Sequence, residues 1–91
     1  MEQEIIIVDG QRSDTKWTTY LATGCCEGFE MEDATLQQKL EAWAVLIKTK
    51  LAYSLQGWFG RAANDLINQG LISKDGIIDW DRFDDLINET L

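Results

Sequence analysis

Leu36, Leu40, Trp43, Ala44, Ile47 and Leu51 recur at intervals of three and four residues, a spacing that lines one face of an α-helix. A helix this apolar on one side has to bury that side, so the rest of the chain must supply its cover. Thr35 followed three residues later by Gln38 fits a capping box, with Asp33 as an alternative cap, and the pattern predicts a helix running to about Leu55.

Several shorter segments can provide the cover. Asp14 can cap a short helix carrying Trp17, Tyr20 and Leu21, with Gly24 as terminator; Cys25 to Asp33, acidic and containing Gly28, then reads as a surface connection. Gly57 and Gly60 bracket Trp58-Phe59 as a tight corner. A helix with Ala62, Ala63, Leu66 and Ile67 follows and stops at Gly70, its small alanines permitting close packing on the long helix. Asp79 can cap a last helix whose Trp80, Phe83, Leu86, Ile87 and Leu91 face inward. At the other end, the β-branched run Ile5 to Val8, closed by Asp9-Gly10, favours a short strand. Ile72 or Ile77-Ile78 can pair with it. The competing arrangement is all-helical, with the first ten residues packed loosely or paired with another subunit. The expected fold is therefore a small α+β or mostly α domain, three to four helices around one core with a short N-terminal strand. Residues 1–91 form a single acidic domain in this reading, 45% hydrophobic and with four tryptophans to fill its core.

Sixteen acidic residues stand against eight basic ones and no histidine, a formal charge of −8. Contact with a phosphate backbone draws on lysine and arginine, so direct nucleic-acid binding is excluded as an expectation, while proteins with basic grooves are attracted. Without histidine there is no Ser-His-Asp or Cys-His arrangement, and no phosphate-binding loop occurs, because Gly57-Trp58-Phe59-Gly60-Arg61 lacks the required pattern. No enzymatic activity is expected, and no catalytic, cofactor or metal residues are assigned. Cys25 and Cys26 are adjacent, which disfavours a mutual disulfide, and lack C-x-x-C spacing; they read as structural thiols of a reduced compartment. Met1 to Glu4 has no basic region leading into a long apolar run, and Ile5 to Val8 is too short for a signal-peptide core or a membrane span. A soluble, cytoplasmic protein with no membrane partner is expected.

Lys74-Asp75-Gly76-Ile77-Ile78-Asp79-Trp80-Asp81-Arg82-Phe83 resembles the second half of an EF-hand, with Gly76 at the loop's sixth position, Ile78 at the eighth and Phe83 just after it. The resemblance covers about a dozen residues and implies a calcium-responsive loop. Its first, third and twelfth positions fall on Leu71, Ser73 and Arg82, replacing two oxygen donors by an apolar side chain and a cation. A degenerate loop or an unrelated capped helix start accounts for the segment better, and calcium response stands as a minor alternative.

What remains is recognition. Glu27, Glu30, Glu32 and Asp33 precede the long helix, and Asp79, Asp81, Asp84, Asp85 and Glu89 lie near the end. On one side of the fold these groups would form a negative face for a basic protein partner, including a nucleic-acid-binding protein whose channel the carboxylates occupy in place of phosphates. Trp58, near an element end, joins them as a candidate contact. Such an inhibitor or DNA mimic fits a phage or mobile-element accessory protein. The alternative role is a homo-oligomeric structural or accessory protein, with a homodimer formed through an aromatic face or the Ile5 to Val8 edge.

Overall fold

Leu40 to Ile47 occupies the centre of the molecule, and of these eight residues only Trp43 keeps partial exposure. The computed structural model describes residues 4–28 and 33–90, the side chains of 89 and 90 excepted. Four helices are present: α1 (Thr19–Glu27), α2 (Leu36–Lys48), α3 (Gly57–Asn68) and α4 (Trp80–Thr90), with a 3₁₀ turn at Leu51–Tyr53. The described residues are mostly helical and contain no β-strand.

The absent strand corrects the expected fold. Ile5 to Val8 is extended, with Val8 buried and Ile5 and Ile7 exposed, as alternation demands. Its one backbone rung among the described residues is a bond from Ile6 N–H to the Trp17 carbonyl (2.8 Å), and it reaches the helical body where the Ile7 carbonyl accepts from Lys48 Nζ. One rung does not make a ladder. The expected partner is committed elsewhere, because Ile72 forms an isolated antiparallel bridge with Ile78 inside its own tight loop. Residues 4–17 thus form an arm laid over a helical body.

Local capping explains most helix boundaries. The capping box at α2 is complete: Thr35 Oγ1 accepts from Gln38 N–H, and Gln38 Oε1 from Thr35 N–H. α2 ends at Lys48 rather than near Leu55, since Lys50 adopts φ 66° and turns the chain into the 3₁₀ turn. Thr18, not Asp14, caps α1 through its bond from Leu21 N–H, so Trp17 precedes the helix and is fully buried. α1 passes through buried Gly24 and the two cysteines to end at Gly28, which takes the left-handed φ of 84°. Cys25 to Glu27 are therefore helical rather than part of a loop. The expected corner at Gly57 and Gly60 lies earlier, across Lys50 to Gln56, and both glycines belong to α3. Asp79 does cap α4, its Oδ1 accepting from Arg82 N–H at 3.1 Å.

α2 is covered on several sides. α1 packs along it, the 3₁₀ turn bridges it to α3, and the loop tip at Gly76 lies against Ala44 and Lys48. Trp17, Phe59, Leu46, Ile47 and Ile72 are the largest fully buried apolar side chains. Leu36, assigned to the inward face by spacing, is 62% exposed because it sits in the first turn, ahead of the covered stretch. Leu91 lies outside the described residues.

Candidate protein-interaction surface

The first half of α4 concentrates the acidic candidates. Asp79, Asp81 and Asp85 are exposed and Asp84 is partly so, while Phe83 is buried on the opposite side and Leu86 and Ile87 are half-buried. This division follows from helical spacing, with the aspartates outside the Phe83 stripe. Asp81 also lies in the first turn, where the helix dipole favours negative charge.

One of these carboxylates is already engaged. Asp84 receives both terminal nitrogens of Arg12, Nη1 to Oδ1 and Nη2 to Oδ2, each at 3.0 Å. The Arg12 guanidinium carbon also stands 4.4 Å from the centroid of a Trp80 ring. Hydrogen bonding from Arg12 holds the Asp84 carboxyl below its ordinary range, and the same bond raises Arg12, with the field of Asp81 adding to it. A lowered carboxyl means that this tie is present at neutral pH and is lost only as pH falls through the Asp84 value, below the usual carboxylate range. Among the described residues Arg12–Asp84 is the one ion pair. Asp81 and Asp85 are thus left without a cationic partner there.

The arm that brings Arg12 to α4 is anchored on a buried acid. Glu41 of α2 has no solvent exposure, and its carboxylate accepts from Arg12 N–H (3.0 Å), Ser13 N–H (2.9 Å), the Ser13 hydroxyl and Trp17 Nε1–H (3.0 Å). All four donors are uncharged groups. Trp80 Nε1–H adds a bond to the Gly10 carbonyl at 2.8 Å. Neither Glu41 nor Arg12 stood out in the sequence. The available signal was the run Leu40 to Ile47, apolar nearly all round apart from Glu41, which implies burial on every side and hence a partner for its one acid.

The other candidates are dispersed. Glu27 ends α1 and Asp33 precedes α2, both exposed; no hydrogen bond or ion pair among the described residues links them to the aspartates of α4. Glu30 and Glu32 lie outside the described residues, as does the side chain of Glu89. Trp58 is 37% exposed, stacks on Phe59 at 3.9 Å and meets Trp43 edge-on at 6.1 Å, so part of its ring area faces solvent beside a packed aromatic cluster. An open groove of about 710 Å³ runs past Ile67, Ile72, Ile77 and Trp80, with Asp79 and Asp81 on its wall.

Internal bonds order the loop before α4: Ser73 Oγ accepts from the amides of Asp75 and Ile77, and the Ile72 bridge closes it. No group of three or more histidine, cysteine or acidic residues placed to hold a metal occurs among the described residues. Cys25 is buried and Cys26 half-buried, both as free thiols. Burial pushes both thiols up, reinforced at Cys26 by Cys25 and Glu27 and opposed at Cys25 by Lys39. Thiolate is what reacts, so both cysteines should be sluggish nucleophiles. With Ellman's reagent at pH 7.5, we expect colour from the folded protein to develop at least about ten-fold more slowly than from the urea-unfolded chain; equal rates would contradict the burial described.

No described helix is long and apolar enough to cross a membrane. Neither a curated protein nor a solved structure matches the chain. A family model does match, over residues 27–89, from the last residue of α1 to the last turn of α4, leaving the arm and most of α1 outside the match. On that match the chain belongs to the family described as a domain of unknown function, DUF7417.

Proposed function

We propose that this protein is a non-enzymatic interaction module whose acidic α4 surface docks on a basic protein, one form of which is an inhibitor seated on a nucleic-acid-binding surface. The observation that carries this reading is the lack of ionic compensation: of the acids described, only Asp84 has a cationic partner, in a chain of net charge −8. Asp81 and Asp85, four residues apart on one helix, project carboxylates along a common face. Such a face raises the rate of encounter with a positive surface and loses that advantage as salt screens it. A phosphate backbone would be repelled, which directs the reading to a protein partner.

The test uses Asp81→Lys/Asp85→Lys, sparing Asp84 because its change would also break the pair with Arg12. Paired baits in native lysate at low and high salt should differ: the unaltered protein retains a basic nucleic-acid-handling protein at low salt, and the double variant, equally folded by circular dichroism, loses most of it. We expect about ten-fold weaker association for two reversed charges at low salt. Equal capture by both baits would remove α4 from the interface. Recovery of its own chain alone would favour the second reading, a self-assembling accessory protein, for which Ile5 and Ile7, 51% and 67% exposed on the arm, are the specific support.

A further inference from the structure

The contact between Arg12 and α4 has the form of a recognition site with its ligand in place. A planar guanidinium lies over an indole face and at the same time donates two parallel hydrogen bonds to one carboxylate. A lysine ammonium cannot satisfy both geometries at once. The receiving side is held without help from the guanidinium: Trp80 Nε1–H is fixed by the Gly10 carbonyl at 2.8 Å, and its ring meets Phe83 edge-on at 5.3 Å. The donating side is equally separable, since the backbone amides of Arg12 and Ser13 are tied to buried Glu41 whether or not the Arg12 side chain stays on Asp84. Both partners of the pair are open to water, with side-chain exposures of 35% and 47%, so the guanidinium can leave while the arm remains.

We propose that Trp80, Asp84 and Asp81 form an arginine-receiving site, that its external ligand is an arginine side chain of a basic protein partner, and that Arg12 is the internal occupant such an arginine displaces. This rests on the acidic-surface reading and specifies its chemistry: the surface discriminates guanidinium from ammonium, and Arg12 sets a threshold that a partner must exceed. Tethering makes the internal competitor effective, because an occupant held beside its site acts at high local concentration. Asp81 is near enough to act on Arg12 electrostatically and supplies the second negative charge.

Hexa-arginine and hexa-lysine peptides carry equal side-chain charge and separate guanidinium recognition from general attraction. Arg12→Ala should bind hexa-arginine about three-fold more tightly than hexa-lysine at low salt, with movement of the Trp80 indole N–H signal in ¹H–¹⁵N spectra. Arg61→Ala makes the same charge change on the exposed part of α3 and should show no gain in that preference. Adding Asp84→Asn to Arg12→Ala should abolish the preference. Equal binding of the two peptides by Arg12→Ala, or an unmoved Trp80 signal at saturation, overturns the proposal. Should Arg12→Ala not fold, the unaltered protein supplies the readout: saturating hexa-arginine must shift the Arg12 Nε–H signal, and an unshifted signal overturns it. Peptides that bind without arginine preference yet are weakened by Asp81→Lys/Asp85→Lys would sink the arginine site alone. Failure of both peptides to bind any variant would sink the acidic surface with it.

Discussion

Glu41→Gln should destabilise the protein by about 3–5 kcal/mol, against less than about 0.5 kcal/mol for Asp85→Asn on the exposed face of α4. The carboxylate it removes is fully buried and accepts four hydrogen bonds from Arg12, Ser13 and Trp17. A glutamine of the same shape has one oxygen to offer, and its amide group turns N–H toward N–H. Each buried donor left without an acceptor costs about 1–3 kcal/mol, reduced here where the Ser13 hydroxyl can rotate. The loss is a large part of the stability of a small domain, about 5–15 kcal/mol in all, and should lower the melting temperature by roughly 15–30 °C. Urea unfolding followed by circular dichroism and by tryptophan fluorescence measures it. A Glu41→Gln protein within about 1 kcal/mol of the unaltered one would mean that the arm is not secured by this acid. The effect bears on the proposed arginine site, because the same residue whose amide Glu41 holds lays its guanidinium over Trp80.

The contrast between Glu41 and Thr35 shows what the sequence can disclose. Thr35 and Gln38 are three residues apart, so their capping box is a local pattern, and Asp79 with Arg82 is another; both were legible and both occur. Glu41 draws on donors 24 to 29 residues away, and Arg12 meets Asp84 across 72 residues, separations at which periodicity carries no information. The same division explains the misplaced boundaries. The end of α2 was set by Lys50 at φ 66°, a conformation that lysine does not advertise, whereas Gly70, at positive φ, falls where α3 was expected to stop; α1 runs past the expected Gly24 to Gly28. Ile5 to Val8 has the composition of a strand, yet strand formation depends on a neighbouring ladder, and Ile72 and Ile78 pair with each other instead. Of the candidate surface, the aspartates on the exposed side of α4 were legible from helical spacing. The engagement of Asp84 was not, and it changes which charges are free to meet a partner.

Gly76→Ala should destabilise by about 2–5 kcal/mol, although Gly76 looks like an ordinary turn glycine before α4. Two separate terms act there. Its φ of 82° strains any residue with a Cβ, and an added Cβ would lie 2.7 Å from Lys48 Cβ and 2.8 Å from the Ala44 carbonyl oxygen. Those atoms belong to the framework of α2, so neither can swing aside as a side-chain tip would. Gly28 and Gly70 separate the two terms, for they have φ of 84° and 77° with nothing within 4 Å of an added Cβ. Alanine at either should cost only the backbone strain, about 1–2 kcal/mol. Asparagine, which tolerates left-handed φ, sharpens the comparison: Gly70→Asn should be mild, while Gly76→Asn should remain severe because its Cβ still meets α2. Equal destabilisation of Gly76→Ala, Gly28→Ala and Gly70→Ala in urea unfolding would refute the close approach. The expected inequality makes Gly76 the contact by which the loop ahead of α4 is seated on α2. Through Asp79, three residues further on and capping α4, that seating sets where the acidic face is presented. The glycine at the sixth position of the EF-hand-like pattern therefore has a packing role, against Ala44 and Lys48 of α2.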